Sequence, residues 1–259
     1  MGSSNIQGDL WGAAAHDWAT LQEPLHGPLW DAMLAATSVG PGTRLLDAGC
    51  GSGGASLLAL QRGAAVKGLD AAKTLINIAR QRAPPAEFWV GDLEDLPYDA
   101  AEFDVVFASL SVQYAADPVA ALGELKRVCA PDGCLAISTW GPEDGCEQRV
   151  IFQAIREILP SPPPGAGPFA LSAPGQLEAF VAQAGWQVQT REIVACPFVY
   201  PDLATHWQVQ RSAGPVQTAI RTVGEEQVRA AVDQAVAPYQ LPDGGVRLEN
   251  CFLYVVATQ

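Results

Sequence analysis

The sequence predicts an α/β fold built on a doubly wound, mostly parallel sheet, and three observations carry that prediction. From about residue 40 to 140, short apolar runs alternate with stretches of helical spacing. A glycine-dense turn separates the first of those runs from the helix that follows it. The composition, 49% hydrophobic and 17% charged over 259 residues, suits one large packed domain rather than a disordered chain.

The elements follow in order. Residues 1–40 carry Trp11, Trp18, Leu21, Leu25 and Trp30 and read as a helical cap. The core, 41–140, opens with a strand at Arg44–Ala48 and a helix from Gly53 to Arg62. A second strand, Ala65–Leu69, precedes a helix through Leu75, Ile76 and Ala79. Glu87–Val90 and Asp104–Ala108 give strands three and four, and Leu122, Leu125 and Val128 mark the next helix. Gly133–Thr139 is the fifth strand. Such alternation implies right-handed crossovers, with helices on both faces of the sheet.

The remaining 141–259 supplies substrate-side helices and the final strands of the same single domain, 1–259. Ile151, Ala154, Ile155 and Ile158 mark a helix that the proline-rich run at 160–168 cannot continue. A helix over Leu177–Ala184 ends at Gly185, and Trp186–Val194 reads as a strand. A helical insertion, Leu203–Ala237, then precedes a last strand over Val246–Ala257.

Charge narrows the partners. With 28 acidic and 15 basic residues the net charge is −13, which repels nucleic-acid backbones and anionic lipid. No apolar run reaches the roughly 18–20 residues of a membrane span. The N-terminus lacks a secretory signal and only partly resembles a myristoylation signal, since Ile6 replaces the preferred Ser or Thr. Six scattered cysteines without a Cys-x-x-Cys pair, and only three histidines, give no metal-type cluster. The expectation is a cytoplasmic protein with free thiols, a small-molecule substrate and no metal, as a monomer or homodimer.

The most informative stretch is Leu45-Leu46-Asp47-Ala48-Gly49-Cys50-Gly51-Ser52-Gly53-Gly54. Glycines at a strand–helix junction permit positive φ and close approach of a ligand to the backbone. The helix start behind them offers free N–H groups. Asp70 ends the second strand and Asp92 follows the third. Carboxylates at the ends of adjacent strands suit a nucleoside's ribose hydroxyls and base. A nicotinamide fingerprint competes for this turn, but it explains neither Asp47 nor Gly91-Asp92-Leu93.

Here the sequence resembles the class I S-adenosylmethionine-dependent methyltransferases, in their small-molecule, ubiquinone-biosynthesis-like branch. The signatures are Leu-Asp-Ala-Gly-Cys-Gly-Ser-Gly at 46–53, Gly-Leu-Asp at 68–70 and Gly-Asp-Leu-Glu-Asp-Leu-Pro-Tyr at 91–98. The runs at 103–109 and 125–133 complete the set. The resemblance implies a Rossmann-like, seven-stranded sheet whose last strand is antiparallel. It also implies S-adenosylmethionine as cofactor and S-adenosylhomocysteine as product.

By that resemblance Gly49, Gly51 and Gly53 lie against the methionine part, and Asp47 organises the loop and favours the ammonium. Asp70 takes the ribose hydroxyls, Ala71 touches the adenine, Asp92 accepts from its amine, and Leu93 donates to it through its backbone N–H. Ser109 sits beside the sulfonium, and Trp11 and Trp18 close the site from the cap.

Methyl transfer from a sulfonium needs alignment and exclusion of water more than a catalytic side chain. A base is required only where the acceptor must lose a proton. His16 among the N-terminal aromatics, His206 in the insertion and Tyr114 after strand four are the candidates, whereas His26, before Gly-Pro, reads as a turn residue. Trp140, Tyr200 and Trp207 are candidate walls for a flat or apolar acceptor. The expected activity is methyl transfer to O, N or C of a small organic acceptor. The competing expectations are a non-catalytic S-adenosylmethionine-binding regulator and, behind it, a nicotinamide oxidoreductase.

Overall fold

A computed structural model describes residues 3–161 and 167–259. The expectation of a loop at 160–168 therefore lies largely outside the described residues, as do Met1 and Gly2 of the N-terminal motif.

The cap begins with α1 (Ser4–Gly12) and a single turn, α2 (Ala15–Asp17). The chain then widens into a π turn over Trp18–Gln22, tightens into a 3₁₀ turn over Glu23–His26, and enters α3 (Gly27–Ala36) with Pro28 in its first turn. Changing helical pitch within nine residues turns Gln22, Glu23 and His26 inward, and all three are buried.

The sheet is formed by β1 (Arg44–Ala48), β2 (Ala65–Asp70), β3 (Glu87–Val90), β4 (Phe103–Ser109) and β5 (Cys129–Trp140), all parallel where they pair. The helices α4 (Gly54–Gln61), α5 (Lys73–Arg82) and α6 (Pro118–Val128) make the crossovers. Leu45, Leu46 and Ala48 of β1 are all buried, as expected of a central strand covered on both faces. Leu122, Leu125 and Val128 put the apolar face of α6 on one side of the sheet. Asp117 caps that helix by accepting from the Val119 and Ala120 amides.

Beyond β5 come α7 (Arg149–Ile158), α8 (Gln176–Ala182), β6 (Gln187–Ala195) and β7 (Phe198–Tyr200). The insertion is three helices, α9 (Leu203–Ser212), α10 (Gly214–Val223) and α11 (Glu225–Val236). The chain ends in β8 (Val246–Leu248) and β9 (Cys251–Thr258).

The seven-stranded sheet has the order β3-β2-β1-β4-β5-β9-β6, with β9 antiparallel to both neighbours. The expected single last strand over Val246–Ala257 is in fact two strands in two sheets, because β8 pairs with β7. The break falls at Glu249 and Asn250, whose carbonyls are taken by other segments of the chain. The Glu249 carbonyl accepts from the Glu147 amide at 2.8 Å and the Asn250 carbonyl from the Cys196 amide at 2.8 Å. Strand order reverses between β1 and β4, so a crevice opens at the carboxyl ends of the parallel strands. The cap and insertion close over it: α1 packs on α10 and α5, and α9 packs on the π turn.

Candidate active site

One continuous cavity lies above the crevice, and the ends of five strands supply its floor. Gly49, Cys50 and Gly51 follow β1, Asp70 ends β2, Asp92 follows β3, Ser109 ends β4 and Trp140 ends β5. The Gly49 and Cys50 amides both donate to the Leu69 carbonyl, at 2.7 and 3.0 Å, which folds the loop back over β2. Gly49 has φ +83° and Gly51 φ +55°. A Cβ on Gly49 would collide with the Ser111 side chain, and one on Gly51 would meet Glu23 Oε1 at 2.8 Å. This close-fitting loop is the stretch that the sequence motif singles out.

Asp70 fixes the loop from the next strand, since Oδ2 accepts from the Gly51 amide at 2.9 Å and Oδ1 from the Ala72 amide at 2.8 Å. Each oxygen retains a second lone pair for a ligand hydroxyl. Ala71, Asp92 and Leu93 line the same end. Asp47 is buried beneath the loop and accepts from Ser56 Oγ at 2.6 Å.

The sequence gives no sign of the residue that ties the cap to this loop. Glu23, 2% exposed, accepts from the Ser52 amide at 2.7 Å, Ser52 Oγ at 2.5 Å, Trp18 Nε1 at 3.3 Å and Arg82 Nη1 at 2.6 Å. Cap, glycine loop and α5 thus meet on one carboxylate.

Three buried or half-buried acids therefore crowd the loop. Burial, aided by the charges of Glu23 and Asp70 and opposed by the Ser56 hydrogen bond, pushes Asp47 up to about 7. Burial likewise raises Glu23, outweighing Ser52 and Arg82, and raises Asp70 against its amide partners. Such a site is stabilised by a cationic ligand. Close backbone, free carboxylate lone pairs and a negative field together fit a ligand with a ribose, an ammonium and a sulfonium.

The other expected positions separate into two groups. Trp11, Trp18, Ser109 and Tyr114 line the cavity. Trp11 meets Trp18 edge-on at 4.9 Å and Tyr114 at 5.2 Å. Ser109 Oγ accepts from Trp30 Nε1 at 3.1 Å. Burial pushes the Tyr114 phenol up to about 12, so it carries its proton at neutral pH. Gly53 is turned away, packed against Ala79 and Phe88, and serves the loop's shape.

Two of the candidate bases are displaced. His16 is exposed on the outer face, beside Asp17 and Arg211 and away from the cavity, because its short helix turns Ala15 inward instead. His206 is fully buried behind the wall, edge-on to Tyr200 at 4.9 Å, with Nε2 against Gln210 Nε2 at 3.2 Å. Of the expected acceptor walls, Trp140 lines the cavity, while Tyr200 and Trp207 are buried outside it.

The histidine that lines the cavity is His26, which the sequence reads as a turn residue. The turn exists, but its 3₁₀ pitch drives the ring inward among Trp18, Trp30, Phe198 and Phe252. Trp30, Gln148 and Gln210 also line the site and were missed. They come from distant segments that only the tertiary fold assembles.

Residues 46–137 match the family model described as a methyltransferase domain. That segment is thus similar to methyltransferase domains, as the resemblance to the class I S-adenosylmethionine-dependent family implies. The chain is 43% identical over 107 residues to a malonyl-[acyl-carrier protein] O-methyltransferase of Serratia marcescens, covering 41% of this chain and 42% of that protein. It is 35% identical over 166 residues to an uncharacterised protein of Mycobacterium tuberculosis, covering 62% and 59%. The chain thus spans about half the length of the curated relatives it matches. In fold it is similar to a chain of the complex containing the Haloferax volcanii Trm112 methyltransferase activator, with TM-score 0.62, 22% identity and 96% of each chain covered. Among the described residues no helix is long and apolar enough to cross a membrane.

Proposed function

We propose that this protein transfers a methyl group from S-adenosylmethionine to a small organic acceptor. The observation that carries the reading is the continuity of the cavity: one end is the glycine and carboxylate cradle, and the other is a chamber lined by Trp140, Phe152 and Phe198. A binding protein without an acceptor would have no need of that second chamber, and here side chains do not plug it. Similarity to an O-methyltransferase of an acyl-carrier-protein conjugate supports the class of chemistry.

S-adenosylmethionine supplies, when bound, an electrophilic methyl group on a positively charged sulfur. Asp70 would hold the ribose hydroxyls, with Asp92, Ala71 and Leu93 at the adenine. Asp47 and the loop at Gly49 and Gly51 would receive the aminoacyl end, and Gly53 would shape that loop. Ser109, Trp11 and Trp18 would lie over the sulfur. The cap and insertion helices exclude water and align the acceptor. The six free thiols support a reducing, cytoplasmic setting.

The test is transfer of isotopically labelled methyl from S-adenosylmethionine into fractionated metabolites of the source organism. Label is expected in one or a few small molecules. Cofactor binding with no labelled product in any fraction would favour the regulatory alternative.

A further inference from the structure

The acceptor half of the cavity carries its own chemistry. Trp30, Trp140, Phe152 and Phe198 line it, with Phe252 packed behind. Trp140 meets Phe152 edge-on at 5.4 Å and Phe198 at 6.2 Å. Ring walls at such angles favour a flat, apolar guest through edge and offset contacts. Among the described lining residues there is no lysine or arginine, while Glu23, Asp47, Asp70 and Asp92 line the other half. A carboxylate or phosphate would enter a negative field with no cation to meet it.

His26 and Gln148 are among the polar side chains that line the cavity here. His26 is 3% exposed and lies between Trp18, at 6.0 Å, and Trp30, at 5.7 Å, with Phe198 at 5.7 Å and Phe252 at 5.4 Å. Trp18 belongs to the glycine-loop side and Phe198 to the chamber, so the imidazole stands where the two halves join. The ring meets the Glu23 backbone with its Nδ1 buried, and Gln148 Oε1 in the chamber wall is buried without a hydrogen-bond partner. The Gln148 amide is oriented from behind, Nε2 donating to Gln210 Oε1 at 2.7 Å. An unpaired amide oxygen near a neutral imidazole suits a ligand that can donate a hydrogen bond.

The four rings around His26 are uncharged. The Glu23 carboxyl is turned to Ser52 and Arg82, and Asp47 lies beneath the glycine loop. Burial lowers the imidazole to about 4, with only the Glu23 backbone acting against it. At neutral pH the ring is uncharged and has a lone pair to offer.

We propose that the acceptor is a neutral, flat aromatic compound bearing a hydroxyl group, and that His26 receives the hydroxyl proton. This rests on the methyl-transfer reading above. The hydroxyl oxygen forms a bond to the methyl carbon as the carbon–sulfur bond of the donor breaks. The electron pair of that bond stays on sulfur and neutralises its charge. The hydroxyl proton passes to the imidazole and then to water, leaving an aryl methyl ether.

The experiment is calorimetric titration at pH 7.5 with S-adenosylhomocysteine present, using 2-naphthol, 2-methoxynaphthalene, 2-naphthoate and decanol as probes. Wild type is expected to bind 2-naphthol at least tenfold more tightly than each of the other three. His26→Phe keeps the aromatic packing and is expected to bind S-adenosylhomocysteine as wild type does while losing the preference for naphthol over its methyl ether. With S-adenosylmethionine, 2-naphthol should yield 2-methoxynaphthalene, with kcat in His26→Phe lowered by roughly 10²-fold or more. Stronger binding of naphthoate or decanol, no naphthol binding, or an unchanged preference in His26→Phe would each overturn the proposal. Failure of S-adenosylhomocysteine to bind would instead strike the methyl-transfer reading itself. If His26→Phe does not fold, His26→Gln is read the same way, with S-adenosylhomocysteine binding as the folding control.

Discussion

Glu23→Ala tests whether one buried carboxylate joins the cap to the cofactor loop. Glu23 is almost fully buried and accepts four hydrogen bonds, from the Ser52 amide, Ser52 Oγ, Trp18 and Arg82. Truncation leaves the Ser52 groups without their acceptor and Arg82 without its ion pair. Breaking a buried pair by removing one partner costs about 3–5 kcal/mol. Arg82 keeps 31% of its side chain exposed and can turn to water, which places the cost near about 3 kcal/mol. For a chain of this size each kcal/mol moves Tm by roughly 2–4 °C, so the expected fall is about 6–12 °C. Calorimetric melting at pH 7 measures it. Glu23→Gln retains an acceptor for Ser52 and should lose less than half as much. An alanine variant melting within about 2 °C of wild type would refute the linkage.

Further outcomes follow from the same geometry. Asp70→Ala should weaken S-adenosylhomocysteine binding by roughly 1.5–3 kcal/mol, read by titration, and unchanged affinity would mean another carboxylate holds the ribose. Asp47 titrates near 7 instead of its ordinary 3.8, and a cationic ligand favours its ionised form. S-adenosylmethionine affinity should therefore rise from pH 6 to 8 with proton release, and Asp47→Asn should flatten that rise. In the ligand-free protein the raised value acts oppositely: Asp47 contributes stability below pH 3.8 that is lost as pH rises through about 7. His206 is lowered by burial to about 4, so its contribution is present above pH 6.5 and lost as pH falls through about 4. His206→Leu should reduce the acid sensitivity of Tm across that window, and an identical acid profile would contradict its burial as a neutral ring.

What was legible in the sequence was what is local. The strand-end acids and the glycine turn are written within single runs of residues, and parallel strands ending at one edge bring them together. The crossover helices were legible because one apolar stripe on each must meet the sheet, as Leu122, Leu125 and Val128 do on α6. The break at Glu249–Asn250 was not, since the amides of Glu147 and Cys196 that capture its carbonyls belong to segments distant in the chain. The acceptor side failed for the same reason. His26 sits in the turn its Gly-Pro context suggests, yet the π-to-3₁₀ change of pitch decides which way the ring points. Gln148 acquires its role only when α7 meets α9 through Gln210. His16 and His206 have the right residue type on the right segments, and helix phase alone puts one in solvent and the other behind the wall.

The cradle formed by Gly49, Gly51, Asp47, Asp70 and Asp92 is proposed to be a S-adenosylmethionine site, and calorimetric titration of the purified chain with S-adenosylhomocysteine tests this most directly. Saturable binding at one site per chain is predicted, with NADH failing to compete. Absence of S-adenosylhomocysteine binding by folded protein, or its displacement by NADH, would contradict it.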